Sequence, residues 1–284
     1  MIKIYNRKTK KYVVEEQYGQ NILNFLYNKK IGRILLKIVI NPLFSKIYGS
    51  YKKSRLSKKE INKFIEKYNI NISKYKEKEY KSFNDFFTRK LKTTTSKFID
   101  KDFISPAESR LLVYKITEDL EVNIKGTNYR IKDLIKEELD NSYKNGNVLV
   151  FRLSMENYHR YCFIDNGTLI KQKKLKGKLH TVSSISKDYK IYKENKRVIN
   201  FLKLDNLDEV IVIEVGALLV GDIINYDIKS FKKGDEKGYF NIGGSTIVVI
   251  TKDKIIIDKD ILKNSKENIE TFVNYKERIG EIKC

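Results

Sequence analysis

Gly234-Asp235-Glu236-Lys237-Gly238-Tyr239-Phe240-Asn241-Ile242-Gly243-Gly244-Ser245-Thr246 leads into an apolar segment of β character, Thr246 to Thr251. A Gly-Gly-Ser-Thr tetrad at such a junction is unusual for a simple turn. Glycine removes the Cβ and admits backbone conformations that other residues avoid. A hydroxyl directly after it can approach the carbonyl carbon ahead. Attack of Ser245 Oγ on the Gly244 carbonyl would give an ester by N→O acyl shift. β-Elimination of that ester leaves dehydroalanine, and hydrolysis leaves a pyruvoyl group on a new N-terminus. Taken alone, the string also reads as a glycine-rich hairpin.

Outward from this point the texture is of short β runs between turns: Val148–Leu153, Val210–Val215, Leu218–Ile224 and Thr246–Thr251, punctuated by Gly167, Gly177, Gly221, Gly234 and Gly238. The first third reads differently. Ser57-Lys58-Lys59-Glu60 has the capping-box pattern, followed by Ile61, Phe64, Ile65 and Tyr68 at helical spacing. Phe83, Phe86 and Phe87 repeat that spacing, and Thr93-Thr94-Thr95-Ser96 then breaks it. The expectation is an α+β protein: a helical, basic, membrane-associated N-terminal region over residues 1–97, then a mainly antiparallel β catalytic domain over 98–284. No internal repeat is visible.

The chain of 284 residues, 41% hydrophobic, is long enough for one sizeable core with an appended region. Its net charge of +22 is unevenly placed: residues 1–100 carry 25 Lys+Arg against 8 Asp+Glu, a net +17. Such an excess suits a polyanionic partner, either nucleic acid or an anionic membrane surface. A lysine-rich composition explains the count but not the asymmetry. Cys162 and Cys284 are the only cysteines, too few for a disulfide framework or a zinc site, and they suit a reducing compartment. No metal site is read. The N-terminus has no signal-peptide core. Ile38–Ser45, interrupted by Pro42, is far short of the roughly 20 apolar residues a span needs. Ile22–Tyr48, rich in Ile, Leu and Phe and carrying Lys29, Lys30, Arg33, Lys37 and Lys46, reads either as a helix in a membrane interface or as an amphipathic helix packed on the core.

In chain order, six segments resemble those of phosphatidylserine decarboxylases: Ser82-Phe83-Asn84-Asp85-Phe86-Phe87-Thr88-Arg89-Lys90-Leu91; Ser105-Pro106-Ala107-Glu108; Asn157-Tyr158-His159-Arg160; Gly177-Lys178-Leu179-His180-Thr181-Val182; Glu214-Val215-Gly216-Ala217-Leu218-Leu219-Val220-Gly221; and Gly243-Gly244-Ser245-Thr246. The resemblance covers nearly the whole chain. It implies a pyruvoyl-dependent carboxy-lyase that cuts itself between Gly244 and Ser245 into a β chain (1–244) and an α chain (245–284). Ser245 would become the pyruvoyl cofactor, an electron sink for decarboxylating phosphatidylserine to phosphatidylethanolamine. His159 matches the family's functional histidine, Glu108 stands where the family has aspartate, and His180 is a second candidate. Cys162 stands where many members have another histidine. The base for self-cleavage therefore stays open among His159, His180 and Cys162. With the lipid substrate that the resemblance implies, the basic first hundred residues and the Ile22–Tyr48 stretch lead to the expectation of a peripheral protein on the cytoplasmic side of the cell membrane, with anionic phospholipid as its partner, no nucleic acid, and a homodimer of the cut unit left open. Two other readings stand beside it: a catalytically silent lipid-binding relative, motivated by Glu108 and Cys162, and a basic nucleic-acid-binding protein.

Overall fold

The computed structural model describes residues 2–15, 19–77, 79–92, 98–181, 191–219, 222–243 and 245–283. The chain opens with a hairpin: β1 (Ile2–Asn6) pairs antiparallel with β2 (Lys11–Glu15). Among the described residues, the helices of the N-terminal region begin at Gln20. The Ile22–Tyr48 stretch forms three helices, α1 (Gln20–Asn28), α2 (Lys30–Val39) and α3 (Pro42–Lys53). Lys29 is extended and ends the first. Pro42 opens the third, where its missing N–H costs nothing, and the Asn41 side chain accepts from the Leu43 amide at 2.9 Å. No helix among the described residues is long and apolar enough to cross a membrane.

The capping-box reading of Ser57–Glu60 needs correction. Residues Arg55–Glu60 form a 3-10 turn, and α4 (Ile61–Tyr68) follows without a side-chain cap. Ser57 Oγ instead donates to the carbonyls of Lys52 and Ser54 and accepts from the Phe83 amide at 2.9 Å. The helical spacing of the phenylalanines holds: α5 (Phe83–Phe87) is capped by Ser82 Oγ, which accepts from Asp85 N at 3.2 Å. The expected boundary at Thr93–Ser96 lies outside the described residues.

The remaining elements are β3 (Asp102–Ile104), β4 (Ser109–Lys115), β5 (Glu121–Ile124), β6 (Thr127–Arg130), α6 (Ile131–Ile135), β7 (Asn147–Leu153), β8 (Arg160–Cys162), β9 (Gly167–Leu175), α7 (Ile191–Glu194), β10 (Arg197–Leu204), β11 (Asp208–Gly216), β12 (Ile223–Asn225), β13 (Ser230–Phe231), β14 (Glu236–Phe240), β15 (Ser245–Thr251), β16 (Ile255–Ile257), α8 (Lys259–Lys266), β17 (Glu270–Val273) and β18 (Arg278–Ile282). Ten strands make one sheet in the order β13-β9-β10-β11-β15-β7-β4-β17-β1-β2, antiparallel except for β1 against β17. Smaller sheets are β12-β14-β8, β16-β18-β3 and β5-β6. Of the expected strand Leu218–Ile224, residues 220 and 221 lie outside the described residues; among the rest, Ile223 and Ile224 pair within β12, and Leu219 has φ +67°. Gly238 punctuates nothing: it lies inside β14, where a Cβ would sit 2.0 Å from the Ile224 carbonyl oxygen.

The central strands are buried on both faces. On one, Leu149, Phe151, Val210, Val212, Ile247 and Val249 meet Phe103, Phe163 and Phe240 of the smaller sheets and their flanks. On the other, Val148, Val150, Ile211, Ile213, Val248 and Ile250 meet Ile131 and Leu134 of α6 and Tyr192 of α7. This two-sided burial is why these strands read as continuous apolar runs instead of alternating ones. The N-terminal helices form clusters of their own, and one of them, around Phe64, Phe83, Phe86 and Phe87, takes in Ile242 from the loop before β15.

Phe151 is fully buried mid-strand. Phe151→Ala is expected to cost about 3–5 kcal/mol of stability. Urea unfolding in the Ser245→Ala background, where the chain stays uncut, measures it.

Candidate active site

Ser245 is the first residue of β15, opposite Gly216 of β11 and Leu153 of β7, and has no exposed surface. It lies on the same sheet face as Ile247 and Val249. Gly243 has φ +130°, a conformation that strains any residue with a Cβ. Gly244, on the other side of the expected scissile bond, lies outside the described residues.

The group facing the hydroxyl is His159. Its Nδ1 is 3.5 Å from Ser245 Oγ, and its Nε2 is 3.0 Å from the Ser154 carbonyl oxygen. The carbonyl can only accept, so Nε2 carries the proton and Nδ1 keeps its lone pair for the serine. Phe87 stacks on the ring, with centroids 4.0 Å apart. Burial first, and then the nearby Arg89 charge, push the imidazole down to about 3, so it is neutral throughout the physiological range. A neutral, oriented imidazole is competent as a base. The contact is at the outer limit of a hydrogen bond and must close slightly for proton transfer.

The ring is held from the turn before it. Asn157 Oδ1 accepts from Ser154 N at 2.8 Å and from Arg110 Nη1 at 2.6 Å. Arg89 Nη2 donates to the carbonyls of Glu156 and Asn157 at 3.0 and 3.2 Å, with its guanidinium over the rings of Tyr75 and Phe86. Glu108 belongs to this support and does not touch the imidazole: its Oε1 accepts from Asn157 Nδ2 at 2.9 Å and Tyr158 N at 3.3 Å.

The loop before the serine is held by Asn84 of α5. Its Nδ2 donates to Asn241 Oδ1 at 3.0 Å, and its Oδ1 accepts from Ile242 N at 3.0 Å. The short helix Phe83–Phe87 with Arg89 thus supports both halves of the site, Phe87 and Arg89 the imidazole and Asn84 the loop. Asn84, Phe87 and Arg89 were inside the motif read from sequence, but their separate tasks were not. A buried ion pair adds to this frame. Lys237 Nζ of β14 meets Glu214 Oε1 of β11 at 2.8 Å, and Asn200 and Asn225 also donate to Glu214. It ties the large sheet, which carries Ser245, to the small sheet, whose strand β8 begins right after His159.

The other two base candidates stand elsewhere. His180 Nδ1 contacts Tyr27 Oη at 3.2 Å, and burial lowers its pKa to about 4. Asn195 links it to the strand beside the site, donating to the carbonyls of His180 and Gly216, the latter paired with Ser245. Cys162 is buried in β8, contacts the Ser105 carbonyl at 3.9 Å, and its thiol is pushed up to about 12 by desolvation. It is therefore a neutral thiol and no base near neutral pH.

A hydroxyl at a glycine-preceded strand start, faced by a neutral imidazole whose other nitrogen is bound to a carbonyl, is a geometry suited to a self-processing chain. The chain belongs to the phosphatidylserine decarboxylase family, whose family model matches residues 83–281. It is 51% identical to "Phosphatidylserine decarboxylase proenzyme 2" of Clostridium acetobutylicum over 99% of this chain and 98% of that one. The "Phosphatidylserine decarboxylase proenzyme" of Clostridium tetani is 40% identical over 100% and 99% of the two chains, and that of Clostridium botulinum 43% over 100% of both. Members of this family are pyruvoyl-dependent carboxy-lyases whose pyruvoyl group derives from a serine on cleavage.

Two outcomes follow from the geometry. Asn84→Ala leaves the buried Ile242 amide unsatisfied, at a cost of about 1–3 kcal/mol. Cutting should slow by roughly tenfold or more, at about 1.4 kcal/mol per tenfold, in a gel time course of freshly translated protein whose circular dichroism stays native. Because the imidazole pKa is lowered, the base form is complete above about pH 4 and is lost only as pH falls towards 3. The cutting rate should therefore show no inflection near pH 6.5 between pH 5 and 8. A midpoint near 6.5 would show an imidazole open to water.

Proposed function

We propose that the chain is a proenzyme that cuts itself between Gly244 and Ser245 and then decarboxylates phosphatidylserine to phosphatidylethanolamine. The observation that carries this reading is the Ser245 Oγ to His159 Nδ1 contact inside the family-matched segment. His159 accepts the hydroxyl proton as Oγ adds to the Gly244 carbonyl, and the proton passes to the departing Ser245 nitrogen. Removal of the Ser245 α-proton then expels the Gly244 carboxylate, and water converts the remaining enamine, through its imine, to the pyruvoyl keto amide with loss of ammonia. Ser245 suits this conversion because it is out of bulk water, so the ester is shielded from direct hydrolysis. When formed, the pyruvoyl group supplies an electron sink for loss of carbon dioxide. The neutral His159 imidazole, held by Phe87 and Ser154, is then placed to move a proton at the same position. Glu108, Arg110 and Arg89 act as positioning residues through the turn at Ser154–Asn157. Neither the nucleic-acid reading nor the silent-relative reading gains support from the family match.

Intact mass spectrometry tests the reading. The expected products are residues 1–244 and residues 245–284 with a blocked N-terminus, and Ser245→Ala should stay whole and inactive. A folded wild-type protein that remains one 33.5 kDa chain would falsify it.

The lipid substrate stays in its bilayer, so we further propose docking on the cytoplasmic face through α1–α3. Ile31, Ile34, Ile38, Leu43 and Ile47 are 58–68% exposed, while Leu23, Leu26, Leu36 and Ile40 face inward. Lys29, Lys30, Arg33, Lys37 and Lys46 lie among the outward residues, each worth about 1 kcal/mol near an anionic surface. Because β1 is built into the large sheet, the test is a surface change and not a truncation. Ile34→Glu with Ile38→Glu should abolish flotation on phosphatidylserine vesicles and leave self-cleavage intact. Unchanged flotation would place the contact elsewhere.

A further inference from the structure

Beside the processing loop lies a cleft of about 260 Å3 between α3 and the Asn241–Ile242 segment, with Asn84 and Asp222 in its wall. From α3 it is lined by Ser45, Lys46, Gly49, Ser50 and Lys53. Three features mark it as made for an anion. Ser45 is completely buried and lines the cleft, and its hydroxyl has no hydrogen-bond partner among the described residues. A buried unpaired hydroxyl is costly unless a ligand completes it. Two cations stand one above the other along the cleft. Lys53 is tied to Asp222 at 3.4 Å, while Lys46 has no ion-pair partner among the described residues. The cleft therefore carries about one uncompensated positive charge. Gly49 lies between them, and a Cβ built there meets nothing within 4 Å, so the floor is open to a ligand.

From this arrangement we propose that the cleft holds the phosphodiester of the phosphatidylserine head group, with Lys46 as its counter-charge and Ser45 Oγ as a hydrogen-bond donor. The assignment rests on the function proposed above and adds to it the part of the site that recognises the substrate. The connectivity fits. In the substrate, one oxygen and one methylene separate the phosphorus from the reacting carbon, and in the protein Ile242 lines the cleft three residues before Ser245. The side of α3 next to Lys46 carries Leu43 and Ile47, both exposed, so the same helix turns from the lipid surface to the cleft. A head group entering there keeps its glycerol end towards the bilayer and its serine end towards the strand start. Lys46 touches neither Ser245 nor His159, so it acts on binding and not on cutting.

The test uses self-cleaved protein and a water-soluble short-chain phosphatidylserine below its micelle concentration, so that membrane docking plays no part. Lys46→Glu and Gly49→Leu should each raise KM about tenfold or more and change kcat less than twofold, and Lys46→Arg should stay within threefold of the wild type. In calorimetry, glycerophosphoethanolamine, the product head group, should bind the wild type and lose about tenfold or more in affinity in Lys46→Glu. Inorganic phosphate should bind at least tenfold more weakly than the head group. Unchanged KM and Kd in both Lys46→Glu and Gly49→Leu would overturn the assignment, as would inorganic phosphate binding as tightly as the head group, which would indicate a bare anion site. A wild-type chain that never cuts or decarboxylates overturns the proposed function instead, and the calorimetric arm, run on that uncut chain, still decides on the cleft.

Discussion

Everything in this site depends on excluding water from one hydroxyl. Ser245 begins a strand whose seven residues are all buried, between two other strands with little exposure of their own. In that setting a serine proton has few destinations. The described group that faces it is an imidazole which burial keeps neutral and whose second nitrogen is committed to a carbonyl. In open solvent the same serine and histidine would meet competing water and an imidazole that is partly charged near neutral pH.

The cost of such burial is that every polar atom needs a partner, and the fold meets it with a few side chains that each serve two elements. Arg89 fills the carbonyls of the Glu156–Asn157 turn while its flat face packs on aromatic rings. Arg110 binds that turn and also joins Glu15 of the N-terminal hairpin and Glu156. The first strands of the chain are thereby coupled to the histidine. The Glu214–Lys237 pair has the same character. Burying two charges is expensive, and breaking one half of such a pair typically costs about 3–5 kcal/mol, so the two sheets it bridges are held in register with each other.

What could be read from the residues follows from how local each feature is. Strands such as Val148–Leu153 and Thr246–Thr251 were legible because burial on both faces leaves long apolar runs. The β1–β2 hairpin was not: β2 is largely exposed, its charges mask any alternation, and β1 pairs with a strand more than 260 positions away. The pattern at Ser57–Glu60 is a local rule overridden by a distant donor, the Phe83 amide. At the site, Ser245 and His159 were legible through their motifs. The place of Glu108 was not, because whether its carboxylate reaches the ring or the turn before it depends on the path of Ser154–Tyr158. Nor was it legible that His159 is a group facing the Ser245 hydroxyl, since that depends on how β8 and β15 are brought together.

The position of β15 has one more consequence. A cut at its first residue would leave the short chain's leading strand threaded between β11 and β7, paired along its whole length with both. Before the cut, an unfolded molecule can find that slot again as a single chain. Afterwards the same search joins two separate polymers, and its success depends on their concentration. Processing would therefore act as a ratchet on the fold: assembly comes first, chemistry records it, and a molecule later unfolded loses the connection that guided its central strand home.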